Sequence, residues 1–217
     1  SSNSVNACST GWLRLGICFP FVRASTISIT ELPRSGVHST MQLILPAFRA
    51  STASCWADVV LLVCDKPGAK VLERAEKFGT KAFAFNPKDY ESREAYETML
   101  ATMLDEHKVD YICLAGYMRI VGKVLLSRFE QRIVNIHPSL LPSFKGAHAI
   151  QDAMDFGVKV FGVTTHFVDE SLDGGRIIDQ GAVAYEGNDI EELTTMIHNI
   201  EHKLYVKTIN KLINKRF

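Results

Sequence analysis

The 217-residue chain balances 24 Lys and Arg against 24 Asp and Glu, which excludes a global basic field for nucleic acid or an anionic membrane and leaves recognition to local charge. Its length suits one α/β domain spanning residues 1–217. No apolar run reaches the length of a membrane span, and Trp12 to Val22, with Arg14 inside it, is too short for a signal segment, so a soluble, cytoplasmic protein is expected.

Residues 1–56 form an atypical start. Before Trp56 there is no Lys, a single acidic residue (Glu31) and four Arg among many Ser and Thr. Ile27-Ser28-Ile29-Thr30 is the candidate first strand there. From residue 57 the patterning becomes regular. Ala57 to Cys64 reads as a buried strand ended by the Asp65-Lys66-Pro67-Gly68 turn. Val71, Leu72, Ala75 and Phe78 recur at helical spacing, with Gly79 as the stop. Lys81 to Phe85 is a second strand. Tyr96, Met99, Leu100, Met103 and Leu104 give the next helix its apolar face, and Val109 to Leu114 is a third strand.

Gly122 to Phe129 then reads as a short helix, Arg132 to Ile136 as a fourth strand and Ala147 to Phe156 as a helix. Lys159 to Val168 and Ile177 to Tyr185 are two more strands. The last helix opens on a capping box, either Asn188 with Glu191 or Asp189 with Glu192, and buries Leu193, Ile197, Ile200, Leu204, Ile209 and Leu212. Alternation of this kind predicts a largely parallel twisted sheet with helices on both faces, Rossmann-like in plan. Five cysteines (Cys8, Cys18, Cys55, Cys64, Cys113) are odd in number and lack metal-ligand spacing. They read as reduced residues, and no metal site is expected.

The chemistry concentrates between Val134 and Gly175. Asn135 and His137 lie two apart at the end of an apolar run, so in a strand both side chains leave the same face. Pro138 then turns the chain out of the sheet. An amide donor beside an imidazole can polarise a carbonyl and stabilise the oxyanion formed on nucleophilic attack, and Asp173 on another loop can orient the imidazole and handle protons. Ligands in such sheets sit at the carboxyl ends of strands, so Ala115 to Val121, Pro138 to Gly146 and Asp169 to Gly175 are expected to converge there.

Asn135-Ile136-His137-Pro138-Ser139-Leu140-Leu141-Pro142, then Gly146, then Gly162 with Thr164 and His166, then Leu172-Asp173-Gly174-Gly175, resembles the signature of the folate-dependent formyltransferases. Within that family the match is nearest to the branch that formylates the amine of glycinamide ribonucleotide, and it runs from about Ala57 to the C-terminus. The resemblance implies a Rossmann-like formyltransferase fold, 10-formyltetrahydrofolate as co-substrate, no metal, and Asn135, His137 and Asp173 as the catalytic trio. It implies folate contacts from Arg93, from Met118, Arg119, Ile120 and Val121, and from Asp169, Glu170, Ser171 and Leu172. The nucleotide substrate would meet Gly116, Pro138, His198, Asn199, Ile200 and Glu201, with Glu201 accepting from ribose hydroxyls. Such an enzyme would be a monomer or homodimer with a role in purine biosynthesis.

The match departs from the family in two places. Val206 stands where a proline is usual after Glu201 to Tyr205. The family's Ser-Gly-x-Gly-Ser-Asn phosphate loop is replaced by Ser35-Gly36-Val37-His38-Ser39-Thr40, and Pro46 interrupts the helix that should follow. Residues 1–56 therefore read as a corrupted or naturally diverged first βα unit. Two alternatives remain at this stage: a formyltetrahydrofolate deformylase, with water as acceptor, and a folate-binding protein whose catalysis is impaired by the altered loop. A tRNA formyltransferase is disfavoured by the absence of a basic surface.

Overall fold

In the computed structural model the described residues are 13–19 and 57–214, with the first segment described by its backbone. Seven strands form one sheet: β1 (Leu13–Phe19), β2 (Ala57–Cys64), β3 (Ala82–Ala84), β4 (Tyr111–Leu114), β5 (Ile133–His137), β6 (Val160–Phe167) and β7 (Ile177–Ala184). Their order is β3-β2-β1-β4-β5-β6-β7. The first five run parallel, while β6 is antiparallel to β5 and β7 to β6. The strand expected at Ile27 to Thr30, like the Ser35 to Gln42 loop and Pro46, lies outside the described residues. The middle of the sheet is instead filled by Leu13–Phe19, which pairs with both β2 and β4. Leu13-Arg14-Leu15-Gly16-Ile17-Cys18-Phe19 is a near-continuous apolar run, the pattern a central parallel strand carries.

The helices are α1 (Lys70–Lys77), α2 (Arg93–Glu106), α3 (Lys123–Arg128), α4 (Ala149–Phe156) and α5 (Ile190–Ile213). Each stops and starts for a local reason. Gly79 takes φ 65° after α1, letting its N–H donate to Glu76 O and that of Thr80 to Ala75 O. Ser92 caps α2 by accepting from the Ala95 N–H at 3.1 Å. Of the two capping boxes, Asp189 is the cap of α5, accepting from the N–H groups of Glu191 and Glu192. The reciprocal half of the box is replaced: the Tyr185 hydroxyl, not the Glu192 carboxylate, receives the Asp189 N–H, and Glu192 accepts from that hydroxyl instead.

Successive residues of β2 feed two cores. Leu62 and Cys64 join Val134, Val163, Ile197 and Tyr205 on the face covered by α1 and α5, while Leu61 and Val63 join Leu100, Ile112, Phe129 and Ile133 under α2 and α3. The buried thiols of Cys64 and Cys113 are free, and burial pushes that of Cys113 up to about 12. Among the described residues no helix is long and apolar enough to cross a membrane. Tyr205, fully buried on α5, sends its hydroxyl across to the carbonyls of Leu114 (2.7 Å) and Val134 (3.2 Å), tying the end of β4 to the start of β5 one residue before Asn135. Tyr205→Phe is expected to lower the unfolding free energy by about 1–3 kcal/mol, the cost of leaving a buried acceptor unmatched, as read from urea midpoints at unchanged m.

Candidate active site

Strand register builds the site. β5 and β6 pair Asn135 with His166 and His137 with Thr164, and β6 and β7 pair Thr164 with Gln180. Directly opposed residues share a face, so one patch carries Asn135, His137, His166, Thr164 and Gln180. The expectation that Asn135 and His137 leave the same face holds. His137 itself belongs to the strand, one residue further than the sequence suggested.

His166 is buried, and burial pushes its imidazole below the ordinary range against the opposing pull of the Phe167 carbonyl and Asp173. Its Nδ1 lies 2.8 Å from Phe167 O and therefore carries the proton, leaving Nε2 to accept from the Asn135 amide at 3.3 Å. This fixes the amide with Nδ2 towards His166 and one of its two N–H groups unspent. His137 donates from Nε2 to Phe144 O at 2.8 Å and turns Nδ1 towards Asp173 Oδ2, 3.5 Å away. Asp173 Oδ2 also accepts from the Gly146 N–H at 2.9 Å, and Oδ1 stands 3.8 Å from His166 Nε2. Asparagine, imidazole and carboxylate thus meet within one group of contacts.

The route by which Asp173 arrives differs from the sequence expectation. β6 runs against β5 and ends at Phe167, opposite Val134 near the start of β5, so Asp169 to Gly175 leaves the sheet at the edge away from Pro138 to Gly146. It folds back over the face to reach His137. A β-carbon at Gly175 would collide with Phe167 O, and Asp173 adopts φ 45°, so the return is tight. Pro138 to Gly146 folds over the same face from the other side, seating Leu140 where a β-carbon on Gly162 would otherwise stand.

The loop Gly116 to Val121 is pinned at Arg119 and at Gly122, which follows it. Arg119 Nε donates to Asp65 Oδ2 at 2.7 Å, and this partner raises the already high guanidinium pKa further. The Gly122 N–H donates to the buried Glu97 carboxylate at 2.6 Å. Along the loop Met118 and Ile120 are exposed and Val121 is buried, and Leu172 is exposed on the other candidate loop. Asp169 accepts from both the N–H and the hydroxyl of Ser171; Glu170 is exposed. Arg93 opens α2 as an exposed residue whose charge acts on Glu97 and Tyr96. On α5, Glu201 lies 3.9 Å from His198, while His198 Nδ1 and His202 Nε2 are buried without a partner among the described residues. Burial lifts the Glu201 carboxyl to about 7. Ile200 packs where a β-carbon on Gly181 would fall, and Asn199 is exposed. Among the described residues no cluster of three His, Cys, Asp or Glu could hold a metal ion.

Comparison with known proteins agrees with this geometry. A formyl transferase family model matches residues 34–209. The chain belongs to the formyl transferase family. It is 49% identical over 158 residues to the phosphoribosylglycinamide formyltransferase of Bacillus subtilis, a match covering 72% of this chain and 81% of that one. It is 41% identical over 181 residues to the trifunctional purine biosynthetic protein adenosine-3 of Drosophila melanogaster, covering 83% of this chain but 13% of that longer protein. The glycinamide ribonucleotide transformylase 1 of Geobacillus kaustophilus superposes with a TM-score of 0.82 at 42% identity, over 94% of this chain and all of that one (100%).

Three features of this family member escaped the sequence reading. His166 was visible only as a letter of the motif; its contact with Asn135 needs the antiparallel register. Gln180 lies in an ordinary edge strand and carries no local signal. Glu97 did leave one, a lone acid at helical spacing with Leu100, Ala101 and Leu104 on the buried face of α2. Gly162→Ala is expected to destabilise the protein by about 1–3 kcal/mol, since the new methyl meets Gly181 O and Leu140, and the drop in urea midpoint measures it.

Proposed function

We propose that the chain transfers the formyl group of 10-formyltetrahydrofolate to the primary amine of glycinamide ribonucleotide. The observation that carries this reading is the meeting of Asn135, His137 and Asp173 on one sheet face in a chain so similar to phosphoribosylglycinamide formyltransferases. The amine lone pair attacks the formyl carbon, and the carbonyl π pair moves onto oxygen. The unspent N–H of Asn135 accompanies that oxygen as its charge grows, and a protonated His137 adds positive charge beside it, held in place by Asp173. The attacking nitrogen gives its proton to the Asp173–His137 pair. The carbon–nitrogen bond to the folate then breaks, and the folate nitrogen takes a proton from the same pair. A site that receives and returns one proton needs no metal.

Met118, Ile120 and Leu172 form the apolar part of the folate site, with backbone groups of Arg119 and Val121 and of Asp169 to Ser171 supplying polarity. Exposed apolar side chains on two loops beside a polar centre favour a flat heterocycle. Arg93 belongs to the folate side at longer range. Gly116, Pro138, His198, Asn199, Ile200 and Glu201 serve the nucleotide. The buried, partner-poor donors and acceptor of α5 suit a hydroxyl-rich ribose.

Asn135→Ala is expected to lower kcat by about 10²–10³, the scale of one oxyanion donor, with tetrahydrofolate release followed spectrophotometrically; full turnover by a folded variant refutes the role. In the wild-type chain tetrahydrofolate should form only when the nucleotide is present. Formate release without it would replace transfer by hydrolysis.

Nucleotide binding should depend on pH through Glu201. Its carboxyl is raised, so it is neutral below about 7 and ionised above. The charged form makes the stronger bonds to hydroxyls, so the KM for the nucleotide should fall as pH rises through about 7. Burial pushes the His198 imidazole below its ordinary range. Glu201→Gln should give a high, pH-flat KM; a wild-type KM that does not change between pH 6 and 8 contradicts the assignment.

A further inference from the structure

The trio is not held by its own side chains alone. Phe144 O receives the His137 Nε2 proton and Gly146 N–H holds Asp173 Oδ2, so two backbone groups of the Pro138 to Gly146 loop fix the imidazole and the carboxylate. That loop does not rest in a relaxed shape. Phe144 takes φ 52° without being glycine, a conformation that costs about 1–2 kcal/mol. Contacts elsewhere must hold it.

Those contacts form a row across β6 and β7. Thr164 Oγ1 accepts from the Leu141 N–H at 3.0 Å and from Gln180 Nε2 at 2.9 Å, and donates to Ser139 O at 2.7 Å. With two donors already aimed at it, the hydroxyl has one place left for its own proton, Ser139 O. Gln180 Nε2 also donates to Leu141 O at 3.0 Å, which settles the orientation of its amide. Thr164 and Gln180 thereby bind both backbone polar groups of Leu141 and a carbonyl two residues before it. Inside the loop, Ser139 Oγ donates to Ser143 O and the Ser143 N–H to Leu140 O, carrying that constraint to the residue beside Phe144.

We infer that Gln180, acting through Thr164, is a positioning residue for formyl transfer: its amide sets the loop whose Phe144 carbonyl and Gly146 N–H align His137 and Asp173. The inference rests on the functional reading above. Thr164 stands opposite His137 in the strand register, while Gln180 belongs to an exposed edge-strand position. Losing its amide therefore changes geometry at the centre with little change in the core.

Gln180→Met keeps the length of the side chain and removes both donations. Its kcat is expected to fall about 10- to 100-fold, the scale of an ångström-level misplacement, while KM for folate and for nucleotide stays within about threefold. Thr164→Val should act in the same direction and Thr164→Ser, which keeps the hydroxyl, should recover kcat to within about threefold of wild type. A folded Gln180→Met with wild-type kcat, or with its defect confined to KM, overturns the inference. If Thr164→Val fails to fold, Gln180→Met still decides, because that position is exposed. A second readout separates this inference from the functional reading. In the free protein the His137 imidazole ¹⁵N shifts report the Nε2–H bond to Phe144 O, and these should move in Gln180→Met and stay in Thr164→Ser. An inactive wild-type chain would refute the reading alone; unmoved His137 shifts in Gln180→Met would refute the inference alone.

Discussion

Between β5 and β6 the sheet reverses direction, and that reversal decides which side chains can meet. Antiparallel register sets His166 abreast of Asn135 and Thr164 abreast of His137, so both β5 side chains gain a polar neighbour on the same face. It also sends the two following loops off opposite edges of the sheet. Pro138 to Gly146 and Asp169 to Gly175 then close over one patch from two sides, each lending a group to the other's side chain: Gly146 N–H to Asp173, and Asp173 to the imidazole that Phe144 O holds. A sixth parallel strand would have carried both loops off the same edge and left the face open.

Burial of so many polar groups is tolerable where every one is matched. Thr164, His166 and Tyr205 are almost wholly buried, and each spends its donor on a carbonyl. On the opposite side of the sheet, Asp179 shows the same economy. Burial alone would raise its carboxyl, but Lys207 and Lys211, both 2.9 Å away, outweigh it and hold it below the usual range. Among the described residues, unmatched buried atoms remain at Asp65 Oδ1, at Glu97 Oε2 and in the α5 cluster. His198 and His202 each keep a buried nitrogen without a partner among the described residues, beside a carboxyl pushed towards neutrality. Such groups cost the folded protein stability.

Much of this was legible in the chain. Hydrophobic periodicity located the elements from β2 onward, because each strand is bounded by turn residues and each long helix by a cap such as Ser92 or Asp189. The motif around Asn135 and His137 announced its chemistry because the residue types themselves carry it. What escaped depends on pairing between distant segments. Strand direction at β6 is not written in Val160–Phe167, whose residues would suit either sense. Gln180 and His166 gain their meaning only from what stands opposite them. The first strand was missed for another reason: Leu13–Phe19, apolar but for Arg14, lacks the clean alternation and the flanking turn residues that marked the later strands.

The tight return at Gly175 gives the Asp173 loop a neck. Phe167 N–H donates to Arg176 O, Val168 N–H to Ile133 O, and Gly175 passes against Phe167 O with no room for a side chain. Beyond that neck the tip, Asp169 to Leu172, lies in solvent, while Asp173 sits on the stem side with its carboxylate already bonded to Gly146. Stem and tip are thus mechanically separate. The tip can change its shape, and can accept sequence drift, while the Asp173 carboxylate keeps its station.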